Sequence, residues 1–342
     1  MAKNDKDFAV VVGVSHYEGL KPLKGPDTDA AAFRDWLLSE EGGNIPEENC
    51  KFLVSKETPL IPLQDDIDRR FGEILKALRD ATGTGRRLYF YFSGHGLGIT
   101  WDETALALPP WSDIMRNYAL SSTSYLNTLI ECGFFEEVFF FLDCCRNRIP
   151  GTTGAKPLFG NVKPAQGTAY CDSLVCYSTE FDNAAYEAEM VTSKDGVLDN
   201  NLVRGLFTVA LISGLKGAAA RNGQVTIMSL MEYLQSYLPE LAKQQQKKQV
   251  PRFINNSRVP DKPITGKLTL TDIDVTISFS RPAQMVVLED PNLNILWTGS
   301  TDAGPQAFKL KRGNYCMRYE HNDADMKTIR IDGTQNPFNY EF

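Results

Sequence analysis

From residue 8 onward, short apolar runs alternate with stretches whose apolar positions recur every three or four residues, as in strands separated by amphipathic helices. Phe8 to Val14 reads FAVVVGV, a near-continuous run of the kind a strand carries when both faces of a parallel sheet are covered. Asp27 to Leu38 places Ala30, Phe33, Trp36 and Leu37 on one helical face, and Lys51 to Val54 is a second short strand. In Gln64 to Asp80, Ile67, Phe71, Ile74, Leu75 and Leu78 fall at helical spacing. Asp65 and Asp66 sit in its first turn, where the helix dipole favours negative charge. Arg87 to Phe92 and Val138 to Leu142 are aromatic strands, Leu174 to Tyr177 is a further strand, and Leu198 to Leu215 and Thr226 to Leu241 predict helices. The alternation implies an α/β domain with a parallel sheet over residues 5–262.

Two stretches break the pattern. Residues 149–172 are rich in Gly, Pro, Lys and Thr without a period and read as a long exposed loop, a candidate lid or processing segment. Residues 179–200, with Glu180, Asp182, Glu187, Glu189 and Asp195, read as a second loop. After the Gln/Lys patch at 244–249, Pro251, Pro260 and Pro263 mark a linker. Beyond it, residues 267–342 hold short alternating runs (Val275–Phe279, Met285–Leu288, Ile295–Trp297, Phe308–Leu310, Tyr315–Tyr319, Thr328–Ile331) separated by turn residues, which predict a small β-sandwich.

Composition narrows the function classes. The 342 residues carry 36 Lys+Arg against 43 Asp+Glu, a net charge of −7 with no basic block, which argues against nucleic acid as a partner. No apolar run approaches the roughly 20 residues that span a bilayer, and the N-terminal apolar run is too short for an export signal. The expectation is a cytoplasmic protein without a membrane partner. Seven scattered cysteines with no CxxC pair, and only three histidines, disfavour both disulfide and zinc frameworks, so neither metal nor cofactor is expected.

The chemistry gathers where two strands end. One runs into Ser93-Gly94-His95-Gly96 and the other into Asp143-Cys144-Cys145-Arg146. Ligands of open parallel sheets bind beyond the carboxyl ends of the strands. An imidazole there can take the proton of a thiol and later pass one to a leaving amine, so His95 and Cys145 fit base and nucleophile. The amides of Gly96 and Cys145 fit an oxyanion hole. Cys144 is the rival nucleophile, but successive strand residues point to opposite sides, so only one of the two faces His95. Alternatives stay open: Cys145 as a small buried hydrophobe, Asp143 as a turn cap, Asp29 as a first-turn helix acid, and His16 and His321 as surface histidines.

These segments resemble the two catalytic segments of the caspase and metacaspase clan of cysteine peptidases, family C14, prokaryotic metacaspase type. In the caspase signature the histidine lies about 50 residues before the cysteine, and His95 and Cys145 stand 50 apart. Val12-Gly13-Val14-Ser15-His16-Tyr17 with Leu23-Lys24-Gly25-Pro26-Asp27-Thr28-Asp29-Ala30 resembles the metacaspase opening strand and first loop, and Gly205-Leu206-Phe207-Thr208 a late helix. The resemblance spans about residues 5–255 and implies a caspase-like α/β/α sandwich, with Cys145 as nucleophile. It places Asp143, Asp29 and Ser93 in the first specificity pocket and implies cleavage after Arg or Lys in protein or peptide substrates. Two carboxylates suit a guanidinium and repel an acidic side chain. The chain departs from the family at Ser15 or His16, where Asn is usual, at Arg146-Asn147, where metacaspases have His-Ser, and in lacking a match to the calcium-site acids. A calcium requirement is therefore not expected.

A protease inside a cell needs restraint. The two loops are the expected switch, with Arg148 as a self-cleavage candidate and an activating protein partner as another route. By analogy, chains of this kind act in bacterial cell death or antiviral defence. The competing readings are a catalytically silent caspase-like adaptor and a thiol hydrolase or transferase of small molecules.

Overall fold

The computed structural model describes residues 2–160, 162–194, 197–268, 271–320, 322–331, 333 and 335–342. Two compact units emerge: Met1–Ala210 with Gln235–Pro260, and Leu211–Leu234 with Asp261–Phe342. The first is built on a six-stranded sheet. In chain order its elements are β1 (Asp7–Gly13), α1 (Pro26–Leu38), β2 (Cys50–Val54), α2 (Gln64–Asp80), β3 (Gly85–Ser93), β4 (Gly96–Gly98), β5 (Thr104–Ala107), β6 (Ala119–Ser121), α3 (Ser122–Cys132), β7 (Phe135–Asp143), β8 (Asp172–Tyr177), β9 (Glu187–Lys194) and β10 (Val197–Gly205). There follow α4 (Leu206–Ser213) and α5 (Ile227–Gln244), each divided between the two units, and then β11 (Arg252–Asn255) of the first. The sheet order is β11-β8-β7-β3-β1-β2, and every pairing is parallel except that of edge strand β11 with β8.

Side-chain alternation on the two central strands explains why both faces of the sheet are covered. Tyr89, Tyr91 and Phe141 point toward α1, where the Phe33 ring stacks on Tyr91 at 4.6 Å and meets Phe141 at 5.5 Å. The intervening Phe90 and Phe140 point the other way, and Phe90 packs on Phe71 of α2 at 5.4 Å. These rings are fully buried, so truncating Phe71 to Ala would cost about 3–5 kcal/mol. Helix α3 is set by local signals: the Ser121 hydroxyl accepts the Ser124 amide at its start, and Gly133 takes the left-handed conformation (φ 70°) at its end.

Sequence periodicity misreads one place and leaves another unassigned. Residues 198–205, expected to begin a helix, form β10, and the stretch expected as loop 179–200 contributes β9; the two make an antiparallel hairpin, and helix begins only at Leu206. A strand that pairs only with its own hairpin partner carries no core-facing run for periodicity to detect. Residues 96–132 hold the small antiparallel sheet β4-β5-β6 and α3, which the alternation reading had not resolved. The described residues between 149 and 171 form no helix or strand, as the loop reading expects, and three contacts tie them to the domain. The Gln64 amide donates to the Lys156 carbonyl at 2.7 Å, Leu158 N donates to Asp68 at 2.9 Å, and the Phe159 ring sits 5.1 Å from Phe71.

In the second unit, β12 (Ile273–Ser278), β13 (Met285–Glu289), β14 (Ile295–Ser300), β15 (Gln306–Leu310), β16 (Gly313–Tyr319), β17 (Asn322–Ile331) and β18 (Phe338–Glu341) form two sheets, β15-β12-β18 and β14-β13-β16-β17. Val275 and Ile277 from one, and Val286, Leu288, Met317 and Ile329 from the other, share one apolar core, which makes a β-sandwich. Among the described residues no helix is long and apolar enough to cross a membrane.

Candidate active site

Register places the two motif segments together. β3 and β7 run parallel with Ser93 opposite Asp143, so both chains leave the sheet at the same level, and Gly94 N donates to the Asp143 carbonyl at 3.2 Å. Asp29, from the first turn of α1, joins them. Asp29, Ser93, His95, Asp143 and Cys145 line one cleft of about 160 Å³. A larger groove of about 510 Å³ in the second unit, against Tyr233, Asp290 and Cys316, has no imidazole on its lining. Size is therefore a poorer guide here than the convergence of reactive groups.

His95 is held at three points. Its Nε2 donates to the Lys21 carbonyl at 2.8 Å, its backbone N–H donates to the Tyr17 hydroxyl at 2.7 Å, and its carbonyl accepts the Ala107 amide at 3.0 Å. The Tyr17 ring meets the imidazole edge-on at 4.8 Å. With the proton committed to Nε2, Nδ1 is the nitrogen able to accept one. Burial pushes the imidazole below its ordinary pKa, which keeps it neutral and ready as a base.

Cys145 Sγ lies 3.3 Å from Ala185 N, which donates to it, and 3.4 Å from the Ala185 carbonyl, which accepts its proton. Burial raises this thiol above its usual pKa, opposed by the Ala185 contact. Among the described residues no hydrogen bond joins thiol and imidazole, and burial opposes the charged form of each. Cys144 is more deeply buried at 2% exposure, packs in the apolar core and is raised much further by desolvation. Gly96 lies beneath both cysteines: a Cβ there would fall 2.5 Å from Cys144 Sγ and 2.6 Å from the Cys145 carbonyl, so only glycine fits.

The acidic wall is built from both ends. Asp29 Oδ1 accepts from Arg204 Nε at 2.5 Å, and its Oδ2 accepts Gly205 N at 2.8 Å. Burial pushes this carboxyl up to about 7 against the opposing pull of Arg204. Asp143 Oδ2 accepts the Thr208 hydroxyl at 2.6 Å and the Thr208 amide at 3.1 Å. Burial pushes it up to about 6, with the two Thr208 bonds opposing. Glu187, exposed at the rim, accepts the amides of Lys24 and Gly25, the latter at 2.8 Å, where the chain enters α1.

Ala185 and Arg204 lie outside the sequence motifs and act through contacts 40 and 175 residues away, while Tyr17 and Thr208 stand inside motif segments but meet partners 78 and 65 residues away. Glu187 carries an acid that the sequence pattern marks only as part of a charged loop. Arg146, a departure from the family pattern, is fully buried. It stacks on Tyr177 at 4.0 Å and donates to the Trp101 carbonyl at 2.6 Å and the Thr104 hydroxyl at 3.0 Å, fastening the segment after Cys145 to the β4–β5 connection. Arg148 is exposed on the far side of this fastening, with its amide donated to Asp182. His16 is half-buried outside the cleft lining, while His321 and Asp195 lie outside the described residues. Among the described residues no cluster of three or more His, Cys, Asp or Glu could hold a metal ion.

A family model described as the caspase domain, Peptidase C14, matches residues 6–261. A probable protease from a Desulfuromonadales bacterium is 30% identical over 228 residues, 62% of this chain, and the chain spans about a quarter of that relative's length (26%). Two solved structures are similar. One is a protein from Geobacter sulfurreducens at 13% identity, covering 76% of this chain and 98% of that one with a TM-score of 0.43. The other is caspase-1 from Spodoptera frugiperda at 13% identity, covering 75% and 88% with a TM-score of 0.42.

Proposed function

Since the chain belongs to the caspase-domain family of peptidases, we propose that it is a cysteine endopeptidase that cuts protein chains after Arg or Lys. The observation that carries this reading is the single cleft in which a base-ready imidazole, an accessible thiol and two buried carboxylates converge. As a peptide bond enters, His95 Nδ1 takes the Cys145 proton while Sγ bonds to the carbonyl carbon. The carbonyl oxygen gains charge, which backbone amides at Gly96 and Cys145 are assigned to bind. The imidazolium returns the proton to the departing amine, leaving a thioester. Water, deprotonated by His95, then adds to the thioester and releases the acid and the thiol.

Asp143 at the end of β7, Ser93 opposite it at the end of β3, and Asp29 from the first turn of α1 are assigned to the first specificity pocket. A basic side chain favours their ionised forms, so binding and ionisation reinforce each other. The peptidase domain is assigned to residues 5–262 and the β module to 267–342. Arg148 stands only three residues beyond the nucleophile, so its own chain cannot turn back into the cleft, and processing there would run between molecules. A cytoplasmic location follows the sequence expectation, and an activating partner and a part in cell death or defence follow the resemblance.

A panel of fluorogenic peptides differing only at P1 tests the proposal. Wild type is expected to release fluorophore from Arg and Lys peptides and to leave Asp and Leu peptides intact, with Cys145→Ala inert. Equal turnover of all four, or turnover by Cys145→Ala, would remove the reading.

A further inference from the structure

Arg204 is a buried charge that the proposed chemistry leaves unused. Its side chain is only 12% exposed, yet it stands one residue before the end of a hairpin strand and reaches across the fold to Asp29, which is 1% exposed. Two arrangements would put an arginine there: as a plug lying in the pocket in place of a substrate side chain, or as a brace gripping the carboxylate from behind. The lining distinguishes them. Asp29, Asp143, Glu187 and Gly205 border the cleft, whereas Arg204 does not. The backbone is equally committed, since Gly205 N holds the other Asp29 oxygen and a Cβ on Gly205 would strike both Asp29 and Asp143.

On this geometry we propose that Arg204 is a positioning residue for specificity: it grips Asp29 from outside the cleft and keeps that carboxylate charged and aimed at the P1 side chain. This deepens the proposed function and rests on it. Every charged or titratable neighbour of Asp29 other than Arg204 works against its ionisation or is neutral. Asp143 of β7 repels it, Tyr91 of β3 is a buried neutral phenol, and Glu187 of β9 lies close by across Gly25. Arg204 is the one cation bonded to it among the described residues. Without the guanidinium, burial and the Asp143 charge would push Asp29 higher still, and the pocket would hold less negative charge near neutral pH. Because Glu187 begins the β9–β10 hairpin and Arg204 stands one residue before its end, the pocket's charge depends on the hairpin staying docked.

The experiment compares Arg204→Met and Arg204→Lys with wild type on P1-Arg and P1-Gln peptides from pH 5 to 9. Arg204→Met is expected to lose at least tenfold in kcat/KM on P1-Arg at pH 7, mostly through KM. Its acid limb should shift to higher pH, and its preference for P1-Arg over P1-Gln should narrow. Arg204→Lys, which keeps the charge, returns the limb toward wild type. An unmoved limb and an unmoved Arg-to-Gln preference in Arg204→Met would overturn the inference, as would a rise in P1-Arg turnover, the signature of a plug. If Arg204→Met does not fold, Arg204→Gln carries the same test. Absence of a P1-Arg preference in wild type would instead remove the proposed specificity, and this inference with it.

Discussion

Replacing Thr208 by Val tests the acidic pocket without touching a catalytic group. The side chains are nearly the same size, so the perturbation is the loss of one hydroxyl. That hydroxyl donates to Asp143 Oδ2 at 2.6 Å and meets the Tyr91 hydroxyl at 2.5 Å, all three groups being buried. A hydrogen bond to a charged group contributes about 1.5–3 kcal/mol. Its loss falls on the ionised form of Asp143, which still keeps the Thr208 amide at 3.1 Å. At about 1.4 kcal/mol per pH unit, the carboxyl should titrate about one to two pH units above its present value near 6. Stranding the Tyr91 hydroxyl costs about 1–3 kcal/mol more in fold stability. The assay is kcat/KM on a P1-Arg peptide from pH 5 to 9, beside urea unfolding at pH 7.5. The expected result is an acid limb displaced upward, near-normal activity on the alkaline side and a lower urea midpoint. A limb identical to wild type in a variant that has lost stability would refute the role given to Asp143.

Stability should also depend on pH. Asp29 and Asp143 are raised in the folded state to about 7 and about 6 from 3.8. The folded protein therefore binds more protons than the unfolded chain in that window, and stability falls as pH rises from about 4 to about 7. Thermal unfolding at pH 5.5 and pH 8 is expected to show the higher Tm at pH 5.5, and Asp143→Asn should flatten the difference; an equal slope in the variant would contradict the titration. Because burial raises the Cys145 thiol and lowers His95, alkylation of the free enzyme by iodoacetamide should accelerate only on the alkaline side. A plateau of rapid alkylation below pH 7 would show a preformed ion pair. Tyr17→Phe removes the acceptor for the His95 amide and is expected to lower kcat severalfold with KM little changed. A change confined to KM would place Tyr17 in binding instead.

Much of the fold was legible because it follows burial on both faces of a sheet. Phe8–Val14, Leu88–Phe92 and Val138–Leu142 are apolar enough to declare strands, and Phe71 and its neighbours mark α2 by their spacing. The His95 and Cys145 segments were legible because each directly ends such a strand, and chain register then brings them together. The hairpin at 187–205 was not, since its strands pair mainly with each other and give periodicity nothing to report. The same limit hides Arg204 and Thr208: their meaning lies in contacts with Asp29 and Asp143, 175 and 65 residues away, which no local pattern encodes. Cys144 and Cys145 could be ranked by strand alternation, and their unequal burial follows it.

The most direct measurement is the mass and position of the label left by a peptidyl-arginine chloromethyl ketone. One adduct per chain on the peptide containing Cys145, absent in Cys145→Ala although Cys144 remains, and much slower in His95→Ala, is the expected outcome. Labelling of Cys144, or equal labelling by an aspartyl or leucyl analogue, would contradict the account.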